Sequence, residues 1–549
     1  MVGSLFTFQY KLIGSHVYDT DNENDYSHEI DFFGQTVKWL DCRHYTADEL
    51  EIYRLVGDHE MDTILEFNAH DKSVSGRNAN TIAACQTIYE TYKHHQNNNN
   101  DKKPVAVLAS QMDVSKKMKE GEQVMYDFYQ QYHDFIPCWV DWEQIQRGMD
   151  VFITFLPAAG QSLFYLSLVP GFSIPKITKV LQQTKYLAPP STTEQVERRL
   201  FDTGAFVSHA MINTEKNDTH TASSTLRPGG KGWRMALQVR VLHAKVRRYI
   251  LKNNNDWDIQ EYGIPINQED MSATLLAFSI NVLVGIEFIS GKSLSINEQK
   301  DYLALWRYIG WLLGVETVTD IVKYNNHSQQ QRIPIDPCGI RATSAKDDSC
   351  KHNNGKETII HAQASLESFV LHLMKPNESS CMVARHLLSR GGDTTNIMYY
   401  SRSYMCRRFI GDPLADALKL HKVGKNKNVK SLLAYILTYI ILMGMRLYAR
   451  LTIQSTWFRK KAYQRHLRLL KQFNQLWMNN PNKGMSSKQD QHQEHKDDKK
   501  YHANTCQQKP IPVNNENNDN KNISHSSCPF AFIMPPSKND PPLLKEKYQ

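Results

Sequence analysis

Apolar residues recur every three or four positions along most of the chain, which is the spacing of helices with one buried face. The clearest runs are Thr274, Leu275, Phe278 and Val282, followed by Tyr302, Leu305, Trp306, Ile309 and Leu313. Runs in which apolar and polar residues alternate, as in a half-buried strand, are few. The pattern therefore predicts an all-α protein with one large core of packed helices.

One further apolar run contains a histidine. Its members are Ala236, Val239, His243, Val246 and Ile250, at spacings of three and four. We therefore expect His243 to face the core, with Arg240 and Arg247 close enough on the helix surface to flank whatever the imidazole contacts. This arrangement suits an anionic ligand or cofactor. The alternative is a core histidine whose ring nitrogens are bonded to neighbouring residues, which is the commoner situation.

Residues 198–203, with the sequence Arg-Arg-Leu-Phe-Asp-Thr, form a second motif of interest. Arg199 and Thr203 are four residues apart and share a helix face, so a guanidinium and a hydroxyl can converge on one pocket. Two simpler roles compete with this one. Arg199 can be a capping or ion-pair residue, and the Thr203 hydroxyl can bond back to its own helix.

Polar interruptions indicate insertions rather than domain boundaries. Residues 94–103, 213–232 and 325–356 are rich in polar side chains and predict surface loops. The chain divides into an N-terminal extension at 1–38, one helical domain with insertions at 39–420, a basic and apolar helical segment at 425–475, and a polar tail at 480–549. The tail contains few apolar residues and is predicted to be disordered.

The formal net charge of +8 raises the question of an anionic partner. The sequence contains no zinc-finger spacing, aromatic RNA-binding signature or basic-zipper heptads, so we do not expect a nucleic-acid partner. Positive charge instead surrounds residues 432–445, which are almost wholly apolar. The flanking cations are Lys425, Lys427, Lys430, Arg446, Arg450, Arg459, Lys460 and Lys461.

This apolar stretch is shorter than the about 20 residues that a spanning helix requires. We expect it to lie in the plane of a membrane surface with its cations on anionic headgroups. A short spanning helix and a buried helix of the domain are the alternatives.

Cysteine usage and the chain termini bear on location. The nine cysteines lack paired spacing, which is typical of a reducing compartment and predicts an intracellular protein. Cys338, Cys350 and His352 lack a Cys-x-x-Cys pair and a fourth ligand, so structural zinc is not expected. The N-terminus shows no secretory signal, and residues 545–549 match a dilysine retrieval pattern of endoplasmic reticulum membrane proteins.

Together, residues 198–203 and 239–247 resemble the family that joins latex-clearing rubber oxygenases with the ER-bound oxygenase mpaB of fungal meroterpenoid biosynthesis. The resemblance extends over about residues 39–418. Weaker matches occur in family order at Gly57-Asp58 and at residues 172–175, 267–270, 302–314 and 408–412.

This resemblance implies a globin-like helical core with extra helices and a b-type haem. His243 resembles the axial ligand of the haem iron. Arg199 and Thr203 would be the catalytic residues on the oxygen or substrate side, and Arg240 and Arg247 would pair with the haem propionates or stabilise their helix. The implied protein is a membrane-associated, haem-dependent oxygenase of the endoplasmic reticulum that uses molecular oxygen on an apolar, isoprenoid-like chain.

Two departures from the family pattern keep other functions open. In the rubber oxygenases a lysine that can bind the iron precedes the threonine, whereas this chain has Asp202 there. Those enzymes also use an upstream acid as a base, and residues 151–193 contain no Asp or Glu. The alternatives are a non-catalytic, membrane-associated helical protein that retains the fold, and another haem oxidoreductase such as a peroxidase.

Overall fold

Local capping signals set where several helices begin. In the computed structural model, Thr46, Thr192 and Ser295 each start a helix with a capping box, in which the hydroxyl accepts from a backbone N–H three residues on. The structure describes residues 28–41, 43–70, 81–100, 120–185, 187–212, 225–253, 256–317, 335–339, 355–422 and 429–479.

A two-stranded antiparallel hairpin precedes the helices, with Ile30 opposite Val37. The elements of the first half are β1 His28–Phe32, β2 Gln35–Trp39, α1 Ala47–Arg54, α2 His59–His70, α3 Thr81–Asn100, α4 Glu120–Asp134, α5 Trp142–Thr154, α6 Leu156–Gln161, α7 Pro175–Gln183, α8 Thr193–Met211 and α9 Lys231–Asn253. Helix α6 continues through a π-helical turn, Ser162–Leu168, and a final turn, Val169–Gly171.

The second half is also helical. Its elements are α10 Ile259–Tyr262, α11 Gln268–Phe278, α12 Ile280–Ser290, α13 Ile296–Leu312, α14 Gly355–Leu373, α15 Glu378–Ser389, α16 Ile397–Ile410, α17 Asp412–Ala417, α18 Val429–Gln454 and α19 Thr456–Asn479. The prediction of an all-α fold is confirmed. Helices α5 and α13 pack along each other at the centre, and α9 is enclosed by α2, α3, α8 and α13.

The predicted apolar runs are only partly matched by burial. Residues 274–282 form two helices that meet at Ser279 rather than one. On α9, Ala236 and Ile250 are buried as predicted, but Val239, His243 and Val246 are half-buried while Arg240 and Arg247 are more deeply buried. A guanidinium tolerates burial when carboxylates pair with it, so the buried side of α9 includes the two arginines.

The segment at 425–475 packs onto the helical body. Helix α18 contacts α12 and α16, and α19 contacts α5 and α8. Within the described residues, two stretches are long and apolar enough to cross a membrane, Gln268–Ser290, which is 67% buried, and Val429–Gln454, which is 28% buried. The bent pair Trp142–Thr154 and Leu156–Gly171 is a third candidate if it counts as one span.

Several predictions fall outside the described residues. These are the N-terminal extension up to residue 27, the tail from residue 480, residues 101–103, 213–224, 325–334 and 340–354 of the polar insertions, and Cys350 and His352. The prediction of a loop is wrong at residues 94–100, which continue helix α3. Cys338 is buried, with its sulfur 3.3 Å from the Ser279 hydroxyl. Cys138 is disulfide-bonded, which the unpaired spacing of the cysteines did not predict.

Candidate functional site

Helix α9 is anchored to α2 through the buried Arg240. Its guanidinium donates from Nε to Asp58 Oδ2 at 2.6 Å and from Nη2 to Asp58 Oδ1 at 2.7 Å, and Nη2 also reaches Glu60 Oε2 at 2.8 Å. The Tyr132 ring lies 4.8 Å from the guanidinium carbon. Bidentate geometry and a cation–π contact offset much of the desolvation of this charge, although Nη1 has no hydrogen-bond partner among the described residues.

A second anchor lies two turns along the helix at Arg247. Nη1 donates to Asp62 Oδ1 at 2.6 Å, Nε donates to the carbonyl of Pro265 at 3.1 Å, and Nη2 donates to the carbonyl of Ile266 at 2.9 Å. Burial raises the pKa of Asp62, and the nearby Arg247 opposes that rise. We expected both arginines to flank an anionic ligand. The structure instead gives each of them a carboxylate of α2.

Weak sequence matches that are far apart in the chain converge on these anchors. Gly314 adopts a φ of +85°, and a Cβ there would lie 2.7 Å from Arg240 Nε and 2.8 Å from Asp58 Oδ2. Gln268 donates from Nε2 to the Gly314 carbonyl at 2.9 Å. The segments around Gly57, Gln268 and Gly314 therefore form one packed support for α9.

His243 lies between the two anchors but lacks such partners. Its Nδ1 is buried and has no hydrogen-bond partner among the residues that the structure describes. Burial lowers the pKa of His243 to about 4, and the adjacent Arg247 contributes. The imidazole is therefore neutral near pH 7, which is the form that binds a metal ion.

His243 is more accessible to solvent than the residues aligned with it along α9. Ala236 and Ile250 lie seven residues before and after it, so the three residues form one line along α9. Both neighbours are 0% exposed, whereas His243 keeps accessible surface. His243 is therefore the member of this line that is not fully buried.

Helix α8 carries the other predicted motif and packs against α9. Thr203 is exposed, and its hydroxyl donates to the carbonyl of Arg199 at 3.0 Å. This is the simpler arrangement considered for Thr203, in which the hydroxyl bonds to its own helix. Arg199 is half-buried.

Asp202 faces the C-terminal helix. Its Oδ1 accepts from Nε1 of Trp477 on α19 at 3.2 Å. Burial raises the pKa of Asp202, while the bond from Trp477 opposes the rise. The residue that replaces the family's lysine is thus engaged between α8 and α19.

Sequence reasoning missed a second unpaired histidine, His209, at the end of α8. It is 0% exposed, and neither ring nitrogen has a hydrogen-bond partner within the described part of the chain. Burial lowers the pKa of His209 to about 3. Its ring lies 5.4 Å from that of Trp477 in an edge-on contact. Only its helical spacing from Asp202, seven residues earlier, gave a signal in the sequence.

A buried ionic cluster joins α7, α11 and α14, and it was also missed. Lys176 contacts Glu269 and lies 2.8 Å from Asp270 Oδ1, and His372 Nε2 is 3.2 Å from Glu269 Oε1. Burial opposes ionisation of Glu269, but the hydrogen bond from His372 and the Lys176 ammonium hold its pKa below the usual value. Residues 267–270 were noted as a weak match to the family, but their partners on other helices cannot be read from sequence.

No group of three or more His, Cys, Asp or Glu side chains placed to hold a bare metal ion occurs among the described residues. A haem iron requires less of the protein, because the porphyrin supplies four ligands and one histidine suffices. A neutral imidazole with an unpaired ring nitrogen and accessible surface fits that requirement. His243 has all of these features.

These observations define an all-helical protein in which a partly accessible histidine with an unpaired Nδ1 lies on a helix packed among four others. Residues 162–338 match the family model described as "ER-bound oxygenase mpaB/B'/Rubber oxygenase, catalytic domain". The match supports the resemblance over that segment, which contains both motifs, and the family that the segment resembles is described as an oxygenase catalytic domain. No curated protein and no solved structure matches the chain.

Proposed function

We propose that this protein is a haem-dependent oxygenase in which His243 is the axial ligand of the iron. The observation that carries the proposal is the combination at His243 of a neutral imidazole, an unpaired Nδ1 and accessible surface on an otherwise buried line of α9. A buried polar atom without a partner in the protein is a good indication of a missing ligand. When bound, the haem would supply oxygen activation.

The chain's own residues would position the reactants. The α9 anchors, Arg240 with Asp58 and Arg247 with Asp62, fix the helix and hence the direction of the imidazole. Both guanidinium groups already have carboxylate partners. We therefore propose that they position helix α9 rather than bind the haem propionates. Arg199 and Thr203 on the neighbouring α8 are the candidates for the oxygen or substrate side.

An apolar, isoprenoid-like chain is the proposed substrate, and molecular oxygen is the proposed oxidant. Support comes from the oxygenase description of the matching family and from the mostly apolar core around α9. We further propose a location at the endoplasmic reticulum membrane, where such a substrate dissolves. The family description and the two apolar helical stretches support this location.

The direct test is an absorption spectrum with a pyridine haemochrome assay on full-length protein expressed with added haem. The parent is expected to contain b-type haem, and His243→Ala is expected to lose nearly all of it. The matched control is His209→Ala, which removes another buried, unpaired histidine and is expected to keep haem.

Three results would contradict the proposal. They are a colourless parent, equal haem in parent and His243→Ala, and equal loss in both histidine variants. A colourless parent would favour the non-catalytic alternative, which the internal hydrogen bond of Thr203 and the lack of acids at 151–193 also favour.

A further inference from the structure

The positive charge of this protein is concentrated in its last two described helices. Residues 429–479 contain nine Lys and Arg and no Asp or Glu. The chain as a whole has 65 basic and 57 acidic residues, so the remainder is nearly neutral with 56 basic and 57 acidic residues. The basic character is therefore a property of α18 and α19 rather than of the whole molecule.

Helix α18 has two faces of opposite character. The buried face carries small and polar residues, and its Thr438 hydroxyl lies 3.0 Å from that of Ser401 on α16. The other face exposes large apolar side chains over the full length of the helix, with Ile440 at 62% and Leu447 at 59% exposure. Its exposed members are Val429, Leu432, Leu433, Ile436, Ile440, Leu447 and Leu451.

Helix α19 follows after one residue and exposes cations. Its buried face packs on α5, α8 and α18, while the solvent side carries Lys460, Lys461, Arg465, Arg468 and Lys471. At the junction, Trp457 is 69% exposed and Lys461 Nζ lies 5.8 Å from its ring. A Trp beside cations is typical of residues at a membrane interface.

We propose that α18 and α19 form an in-plane docking surface for an anionic lipid bilayer. The apolar face of α18 enters the boundary between headgroups and acyl chains, and the cations of α19 contact the headgroups. Charge complementarity selects anionic lipid over neutral lipid. The long exposed apolar face favours a bilayer over a nucleic acid. This inference deepens the proposed membrane location and does not depend on the haem chemistry.

The packing of α18 argues for in-plane binding and against spanning. Arg446 on its buried face donates to the carbonyls of Phe288 at 3.1 Å and Ile289 at 3.2 Å at the end of α12. Arg402 lies next to the Ser401–Thr438 contact on α16. A spanning α18 would bring α12, α16 and these arginines to membrane depth, where a charged side chain is costly.

Vesicle co-sedimentation of the full-length protein tests the surface. Vesicles of phosphatidylcholine with phosphatidylserine are expected to bind the parent at least about tenfold more tightly than vesicles of phosphatidylcholine alone, since each cation near an anionic surface contributes about fivefold. Ile440→Glu is expected to weaken binding at least about tenfold. Lys460→Glu with Lys461→Glu is expected to remove the preference for phosphatidylserine.

The matched controls are substitutions to Glu at exposed residues outside α18 and α19. Ile296→Glu changes an exposed isoleucine on α13, and Lys292→Glu changes an exposed lysine before that helix. Both are expected to bind like the parent. Alkaline carbonate is expected to release the bound parent, because an in-plane helix is not held across the bilayer.

Several results would overturn the inference. Ile440→Glu binding like Ile296→Glu would exclude the α18 face, and resistance to carbonate would indicate a spanning helix. Binding of an RNA homopolymer through Lys460 and Lys461, without vesicle binding, would make the surface a nucleic-acid site. Haem content measured on the same samples is expected to be unchanged, so failure here and failure of the haem proposal are distinguishable.

Discussion

The arginines and the histidine of α9 differ in whether the protein gives them a partner of opposite charge. Arg240 and Arg247 are 2% and 3% exposed, and each has a carboxylate within 2.7 Å. His243 lies between them with an unpaired Nδ1. We interpret the carboxylate-paired arginines as stabilising groups, and we propose that the histidine without such partners is the one that binds a ligand. His209 refines this interpretation, because it is unpaired but has no accessible surface and so no room for a ligand.

Loss of a completed pair is expected to have the largest effect on stability. Arg240→Ala leaves Asp58 buried without its counterion and is expected to cost about 3–5 kcal/mol of unfolding free energy. Urea denaturation of haem-free protein measures it. His243→Ala in the same haem-free background is expected to cost less than half as much. Equal losses of unfolding free energy in the two variants would contradict the distinction between the paired arginine and the unpaired histidine.

The two histidines are expected to make the stability of the folded protein depend on pH. Their folded pKa values, about 4 for His243 and about 3 for His209, lie below the ordinary 6.5. The contribution of these histidines to the free energy of unfolding is therefore fully present above pH 6.5. It is lost as the pH falls toward their pKa values in the folded protein, by at most about 1.4 kcal/mol per pH unit for each histidine.

Replacing one histidine measures its contribution to the pH dependence of the unfolding free energy. Denaturation of haem-free parent and His209→Phe between pH 6.5 and 4 is expected to show a shallower loss in the variant. Lys231, the cation that acts on His209, is unchanged in the comparison. Identical slopes would show that His209 is hydrated or paired in solution.

A smaller effect is expected at Gly314. Its positive φ and the 2.7 Å approach of a Cβ to Arg240 Nε predict that Gly314→Ala costs about 1–3 kcal/mol. Gly444→Ala is the control, because a Cβ there meets nothing within 4 Å and a helical alanine is expected to stabilise by up to about 1 kcal/mol. Thermal unfolding of both variants measures the difference, and the same sign at both sites would contradict the close packing at Arg240.

The smallest stability effect is expected at Thr203. Its exposed hydroxyl bonds only to the Arg199 carbonyl in the described structure, so Thr203→Ala is expected to change stability by less than about 0.5 kcal/mol. Haem content is expected to stay at the parental level, and turnover of an apolar substrate is expected to fall. Unchanged turnover would remove Thr203 from the reaction.

The sequence predicted the parts that depend on local spacing. Helical periodicity gave the all-α fold and placed His243 on the buried line with Ala236 and Ile250. It could not assign Asp58 and Asp62 to the arginines, because those partners lie more than 180 positions earlier in the chain. The cationic face of α19 was likewise hidden, since a run of charges does not show which face packs against α5 and α8.

Ligand rescue tests the central claim about His243 most directly. His243→Gly removes the proposed iron ligand and leaves a space of the size of its side chain, so added imidazole can occupy the vacated position. Haem titration of this variant is expected to show weak binding alone and near-parental binding and spectrum with imidazole. His209→Gly is expected to bind haem without imidazole. Parental haem binding by His243→Gly in the absence of imidazole would contradict the assignment.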